Sequence, residues 1–179
     1  MNRDQITRVP DYYNQYVQQV ENVSLLEALH LSLEHLTAKW QERLEAIGDE
    51  VYAPGKWPVS VILQHLVDSE RIFAYRALRF ARKDSTPLPG YDENAYAEAT
   101  FSSRLTIEQL MEELKLLRVG TIYLFDRFEE EELNRFGMAN GQEISVAALG
   151  FIIAGHQAHH LRIIRERYLP LAKGIISPF

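Results

Sequence analysis

His156 and His160 stand four residues apart in an apolar stretch, and His65 interrupts an earlier apolar segment. In an α-helix, positions i and i+4 share one face, one turn apart. Two neutral imidazoles so placed can hold one divalent cation, and a third from a facing helix would leave a coordination position open. Three protein ligands with a free fourth position is the arrangement of catalytic rather than structural zinc. Imidazoles suit zinc, nickel, cobalt or copper better than magnesium or calcium, which require oxygen ligands. The expectation is one divalent transition metal, zinc or nickel foremost, on His65, His156 and His160. The competing reading is a buried polar network of the same three rings.

Other polar residues are weighed against these. His159 falls with Gly155, Arg162 and Glu166 on the polar side of its helix, and His30 and His35 lie off their apolar stripe. Ligating histidines normally pass their second ring N–H to a carboxylate or carbonyl. Asp68, one turn after His65, and Glu70 are candidates for that support, whereas Glu166 reads more naturally as a surface ion pair. Asp68 is also the candidate general base. Arg76, on the His65 stripe, could bind a carboxylate of a substrate or close an ion pair inside the protein. Gln157 follows His156 where a zinc metalloprotease helix would place its glutamate base, so that mechanism is excluded. Cysteine is absent, which removes disulfides, a thiolate nucleophile and thiolate ligands. Any sulfur in the chemistry must come from a cosubstrate.

Four long segments of helical periodicity would position these groups. The first is expected from Ser24, a capping residue with Glu27 three positions on, to Ile47 before Gly48, preceded by a short Tyr-rich helix from about Asp11. The second runs from Val59 to about Lys83, with Ile62, His65, Ser69, Phe73, Arg76 and Phe80 at helical spacing. The third runs from Thr106 to Phe128. The fourth runs from a cap at Ser145 to Leu169, with Pro170 as terminator. Strand signals are weak, although Asn140-Gly141 is a tight-turn dipeptide. Four helices with one apolar stripe each imply an all-α fold, a four-helix bundle. The connection Asp84 to Leu105, with Pro87, Pro89, Gly90, Tyr91, Tyr96 and Phe101, is long enough to be functional. It is expected to pack as an ordered loop and could cross the bundle end, with Tyr91 and Tyr96 lining a pocket or holding the loop down.

With 179 residues, 46% of them hydrophobic, the chain is expected to form one domain over residues 1–179, with residues 1–20 as a lead segment and 171–179 as a tail. A net charge of −6 without a basic stripe argues against nucleic acid as a partner. The acidic run from Glu129 to Glu132 reads as solvated surface. No apolar run approaches a membrane span, and the first ten residues lack the apolar core of a signal peptide. A soluble, cytoplasmic protein is the expectation.

Several stretches together are similar to the DinB-like superfamily of bacterial four-helix proteins. They are Tyr52-Ala53-Pro54-Gly55-Lys56-Trp57, His65-Leu66-Val67-Asp68-Ser69-Glu70-Arg71, Pro87-Leu88-Pro89-Gly90-Tyr91-Asp92-Glu93, Ala139-Asn140-Gly141, and Gly155-His156-Gln157-Ala158-His159-His160. The resemblance implies a three-histidine metal site on His65, His156 and His160, a bundle with long crossover connections, and frequent dimers. It also implies a choice of reactions. Characterised relatives join low-molecular-weight thiols such as bacillithiol, mycothiol or glutathione to electrophiles, a related branch isomerises maleylpyruvate, and others are assigned only as hydrolases.

The leading expectation is a metal-dependent transferase that joins a small thiol to an electrophile bound under the 84–105 connection. The alternatives are a metal-dependent hydrolase using the same open position for water, which needs a base such as Asp68, and a non-catalytic metal-binding protein.

Overall fold

A computed structural model describes residues 1–100 and 105–172, so Phe101 and most of the C-terminal tail lie outside the described residues. The Tyr-rich helix is present as α1 (Asp11–Val17). The first long helix is divided into α2 (Leu25–Glu34) and α3 (Ala38–Ile47). Ser24 caps α2 as expected, its hydroxyl accepting from the Glu27 N–H at 3.3 Å. The break follows from Thr37, whose backbone is extended (φ −90°, ψ 161°) and whose hydroxyl accepts from the Trp40 N–H, starting a new helix instead of continuing the old one. Gly48, at φ +60°, ends α3 as expected.

The second long helix, α4 (Val59–Ala81), begins directly after Pro58. The long connection that follows is ordered around a short helix, α5 (Glu93–Thr100). α6 (Ile107–Asp126) opens with Thr106 and Gln109 capping each other reciprocally. After a single-turn helix, α7 (Glu130–Asn134), comes the one hairpin among the described residues, β1 (Phe136–Ala139) paired antiparallel with β2 (Gln142–Ser145). Asn140 and Gly141 both take positive φ, 51° and 74°, as a two-residue turn matched to strand twist requires. Ser145 then caps α8 (Val146–Ile163). Past Ile163 the helix widens to a π turn over Ile164–Tyr168 and ends in a 3-10 turn, Leu169–Leu171, which contains Pro170.

α2, α4, α6 and α8 form the bundle. α4 packs on α6 and α8, and α2 packs on the same two helices. The 84–105 connection joins the neighbours α4 and α6 and does not take the expected course across the bundle end. The connections that pass between diagonal helices are those from α3 to α4 and from α6 to α8. α1 lies along α8. No helix of the described residues is long and apolar enough to cross a membrane.

The interior has two apolar clusters. One gathers Leu25, Leu29, Phe73, Phe125, Leu149 and Phe151, the other Leu44, Leu63, Met111, Leu114 and Ile164. Burying one such side chain is worth about 1.5–3 kcal/mol. His156 sits where α8 passes from one cluster to the other, and His65 lies among Leu63, Leu66 and Val67 of the second, so packed side chains hold both. Between α2, α4 and α6, Arg118 forks onto Glu70 at 2.9 Å through each of two nitrogens and also donates to Ser32 Oγ. Gln157 of α8 donates to the Ser32 carbonyl at 2.6 Å, so this buried polar group touches all four bundle helices.

Candidate metal centre

His65 on α4 and His156 and His160 on α8 converge, their nearest ring nitrogens all within 4.8 Å of one another. His156 Nε2 stands 3.0 Å from His65 Nε2 and 3.0 Å from His160 Nε2. A neutral imidazole nitrogen carries one proton or one lone pair, so His156 Nε2 can complete a full hydrogen bond with only one of these neighbours. A cation at the shared point would satisfy all three. Nitrogens bound tetrahedrally to zinc at ~2.05 Å stand about 3.3 Å apart, so this spacing suits the ion after small adjustments.

The rings are poised in the neutral, ligating form. Burial, followed by the neighbouring His160 and His65, holds the His156 pKa well below its usual 6.5. Burial, with His65 and His159 beside it, brings His160 down to about 3. Burial also lowers His65, against the opposing charges of Glu93 and Asp68. Aromatic rings fix the imidazole planes. Tyr16 meets His156 edge-on at 5.0 Å, and Trp57 lies 5.2 Å from His65.

The three nitrogens face a cavity of about 520 Å³. One wall is aromatic, formed by Tyr12, Tyr13 and Tyr16 of α1 with Phe73 of α4. The opposite wall comes from the connection and the hairpin, through Gly90, Tyr91, Asn140 and Gln142. These two segments are stitched together: the Leu88 N–H donates to the Met138 carbonyl at 2.9 Å and the Asn140 N–H to the Leu88 carbonyl at 3.0 Å. Gly90 lets the two segments approach closely, since a Cβ there would stand 2.2 Å from Asn140 Oδ1 and push that side chain aside. Tyr91 is anchored to α4 through a 2.8 Å hydrogen bond with Ser69 Oγ.

Two charged residues line this cavity. Arg76 is 3% exposed, donates to the Pro89 carbonyl at 2.8 Å and hydrogen-bonds to the Tyr13 phenol. Among the described residues no carboxylate pairs with it, so the ion-pair alternative is not what the bundle builds. Glu93, the first residue of α5, is the one carboxylate among the described residues that lines the cavity, and its charge reaches His65, Tyr13, Tyr16 and Tyr91.

Other candidates lie elsewhere. Asp68 does not line the cavity: its Oδ1 accepts from Gln64 Nε2 at 3.0 Å and sits 4.0 Å from Arg71. Three positions on from His65, Asp68 stays near that histidine but turns to Gln64 and Arg71, and among the described residues Glu93 is the carboxylate that lines the cavity. Glu70 is committed to Arg118 and supports no histidine. Tyr96 meets Tyr91 in a tilted contact, centroids 5.1 Å apart, but is exposed and outside the cavity. Glu166 pairs with Arg162, and His30 and His35 are exposed. His159 is half-buried between Tyr16 and His160.

Glu93, Trp57, Asn140 and the tyrosines of α1 were not singled out as site residues by periodicity. The available signal was their membership in the Tyr-rich lead and the Pro/Gly-rich connections.

Comparison with known proteins agrees with this fold. A family model described as the DinB superfamily matches residues 28–164. The chain is 28% identical over 157 residues to OB0413 of Oceanobacillus iheyensis, covering 82% of this chain and 89% of that protein, which is named as a candidate metal-dependent hydrolase. It superposes with a TM-score of 0.58 on YfiT from Bacillus subtilis, at 19% identity, over 90% of this chain and 91% of that one. The YfiT structure is described as having an unusual four-helix bundle topology.

Proposed function

The chain belongs to the DinB superfamily, and from that premise we propose that it is a metal-dependent enzyme joining a low-molecular-weight thiol to an electrophilic small molecule. The observation that carries this reading is the convergence of three neutral imidazoles on a cavity that, among the described residues, also holds one carboxylate and one buried cation without an acid partner. His65, His156 and His160 would hold a divalent metal, which supplies Lewis acidity and lowers the pKa of a thiol or water placed beside it.

The remaining work falls to the chain's own side chains. Arg76 binds a carboxylate of the thiol or its partner, its guanidinium already oriented by Pro89 and Tyr13. Glu93 accepts the S–H proton. The sulfur lone pair forms the new S–C bond, and the leaving group departs with the electron pair of the bond it breaks. The tyrosine wall and Phe73 exclude water and hold the reactant bound there against the histidines.

A second reading, hydrolysis, is supported by Glu93 as a base for water and by the name of the relative OB0413.

One assay separates them. Protein of measured metal content is given monochlorobimane with bacillithiol, mycothiol or glutathione, and separately p-nitrophenyl acetate without thiol. Thiol-dependent turnover that falls by about 10²–10⁴-fold in Glu93→Gln with metal retained supports the transferase. Ester cleavage without any thiol turnover supports the hydrolase. Neither activity in metal-replete protein contradicts both.

A further inference from the structure

A smaller cleft of about 250 Å³ opens on the other side of Trp57. Its walls include Tyr52, Lys56, Asn94 and Tyr168, and it shares Trp57 and His160 with the larger cavity. Trp57 therefore stands as a partition with its ring beside His65, and its backbone is fixed because Tyr168 Oη donates to the Trp57 carbonyl at 2.8 Å. The start of α5 straddles the same partition: Glu93 lines the larger cavity and Asn94 the smaller. Asp92 holds that start in place by accepting from the Asn94 N–H at 2.9 Å and the Ala95 N–H at 3.2 Å. A site for one reactant needs a single approach to the histidines; this one has two, meeting at the His160 edge.

On the reading of the three-histidine centre given above, we infer that the smaller cleft is a second subsite, for a small carboxylate with a flat unsaturated or aromatic body. Its chemistry is written in its lining. The Lys56 ammonium, with no acid partner among the described residues, faces the ring of Tyr52 at 5.9 Å and meets the carboxylate. The Asn94 amide gives a directional hydrogen bond, and the rings of Tyr52 and Trp57 take the flat body. A volume just under the ~300 Å³ at which pockets for drug-sized ligands begin limits the occupant to a small molecule. The larger cavity, with its separate cation Arg76, is left free for the second reactant.

Benzoate is the probe for the smaller cleft and glutathione for the larger, each titrated calorimetrically into protein as purified, with metal content measured on the same sample. Lys56→Ala, at an exposed position, should weaken benzoate at least fivefold, and Arg76→Ala should leave it within twofold. Saturating glutathione should leave benzoate binding in place. The inference is overturned if glutathione excludes benzoate, if Arg76→Ala rather than Lys56→Ala weakens it, or if benzoate does not bind. Protein without stoichiometric metal that still gives the expected benzoate pattern would defeat the metal reading and leave the second subsite standing.

Discussion

The backbone carbonyl of Tyr16 fills the space in which a side chain at Gly155 would begin: a Cβ there would stand 2.0 Å from that oxygen and 2.6 Å from its carbon. Gly155 precedes His156, and Tyr16 packs its ring against His156 at 5.0 Å. The missing side chain is thus what lets α1 lie against α8 and bring its tyrosines to the three-histidine cavity. Because the clash is with backbone rather than a flexible side chain, Gly155→Ala should cost about 1–3 kcal/mol or more. In a chain of this size that lowers the melting temperature by roughly 2–4 °C per kcal/mol. Thermal unfolding checks it, and an unchanged midpoint would show that α1 does not pack as described.

A second expectation concerns the buried pair between α4 and α6. Arg118 is 1% exposed and Glu70 3%, and the two meet through two 2.9 Å hydrogen bonds. Breaking such a pair from one side leaves an uncompensated buried charge, so Glu70→Ala should destabilise by about 3–5 kcal/mol. Glu70→Leu combined with Arg118→Met removes both charges and should cost less than the single change, a non-additivity readable by urea denaturation. Equal or greater loss in the double variant would mean that the pair matters through Ser32 and Gln157 instead.

The positions of these residues differ in how far the sequence revealed them. His156 and His160 interrupt one apolar stripe of period 3.6, so their shared direction follows from helix geometry alone, whereas His65 joins them only through the packing of α4 on α8. The caps at Ser24 and Ser145 were equally legible, being local side chain-to-backbone bonds. Thr37 was not, because a mid-helix threonine and a new cap look alike until Trp40 must point into the core. The pairing of Asp68 with Gln64 and Arg71 was not legible, since its nearness in sequence to His65 says nothing of where those two draw its carboxylate. Glu93 and Asn140 reach the cavity only through the pairing of Leu88 with the hairpin, a long-range contact with no periodic signature.

The histidines also set a pH dependence. Each of the three is held below its ordinary 6.5, His160 to about 3, mainly by burial. Below pH 6.5 the unfolded chain takes up protons that the folded chain refuses, so the metal-free protein is at full strength above that pH and loses stability as pH falls. Chelator-treated protein should therefore melt progressively lower from pH 7.5 to 5.5, a window above most carboxylate titrations. His160→Asn should flatten the slope. A midpoint that rises on acidification would contradict the burial of neutral rings.

The measurement that bears most directly on the central claim is the metal content of untagged protein purified without chelator, beside His160→Ala, by elemental mass spectrometry. The account predicts roughly one zinc or nickel per chain, lost in the variant while its far-ultraviolet helical spectrum persists. No stoichiometric metal in the parent protein, or full retention in His160→Ala, would contradict it and leave His65, His156 and His160 as a polar cluster in the bundle wall.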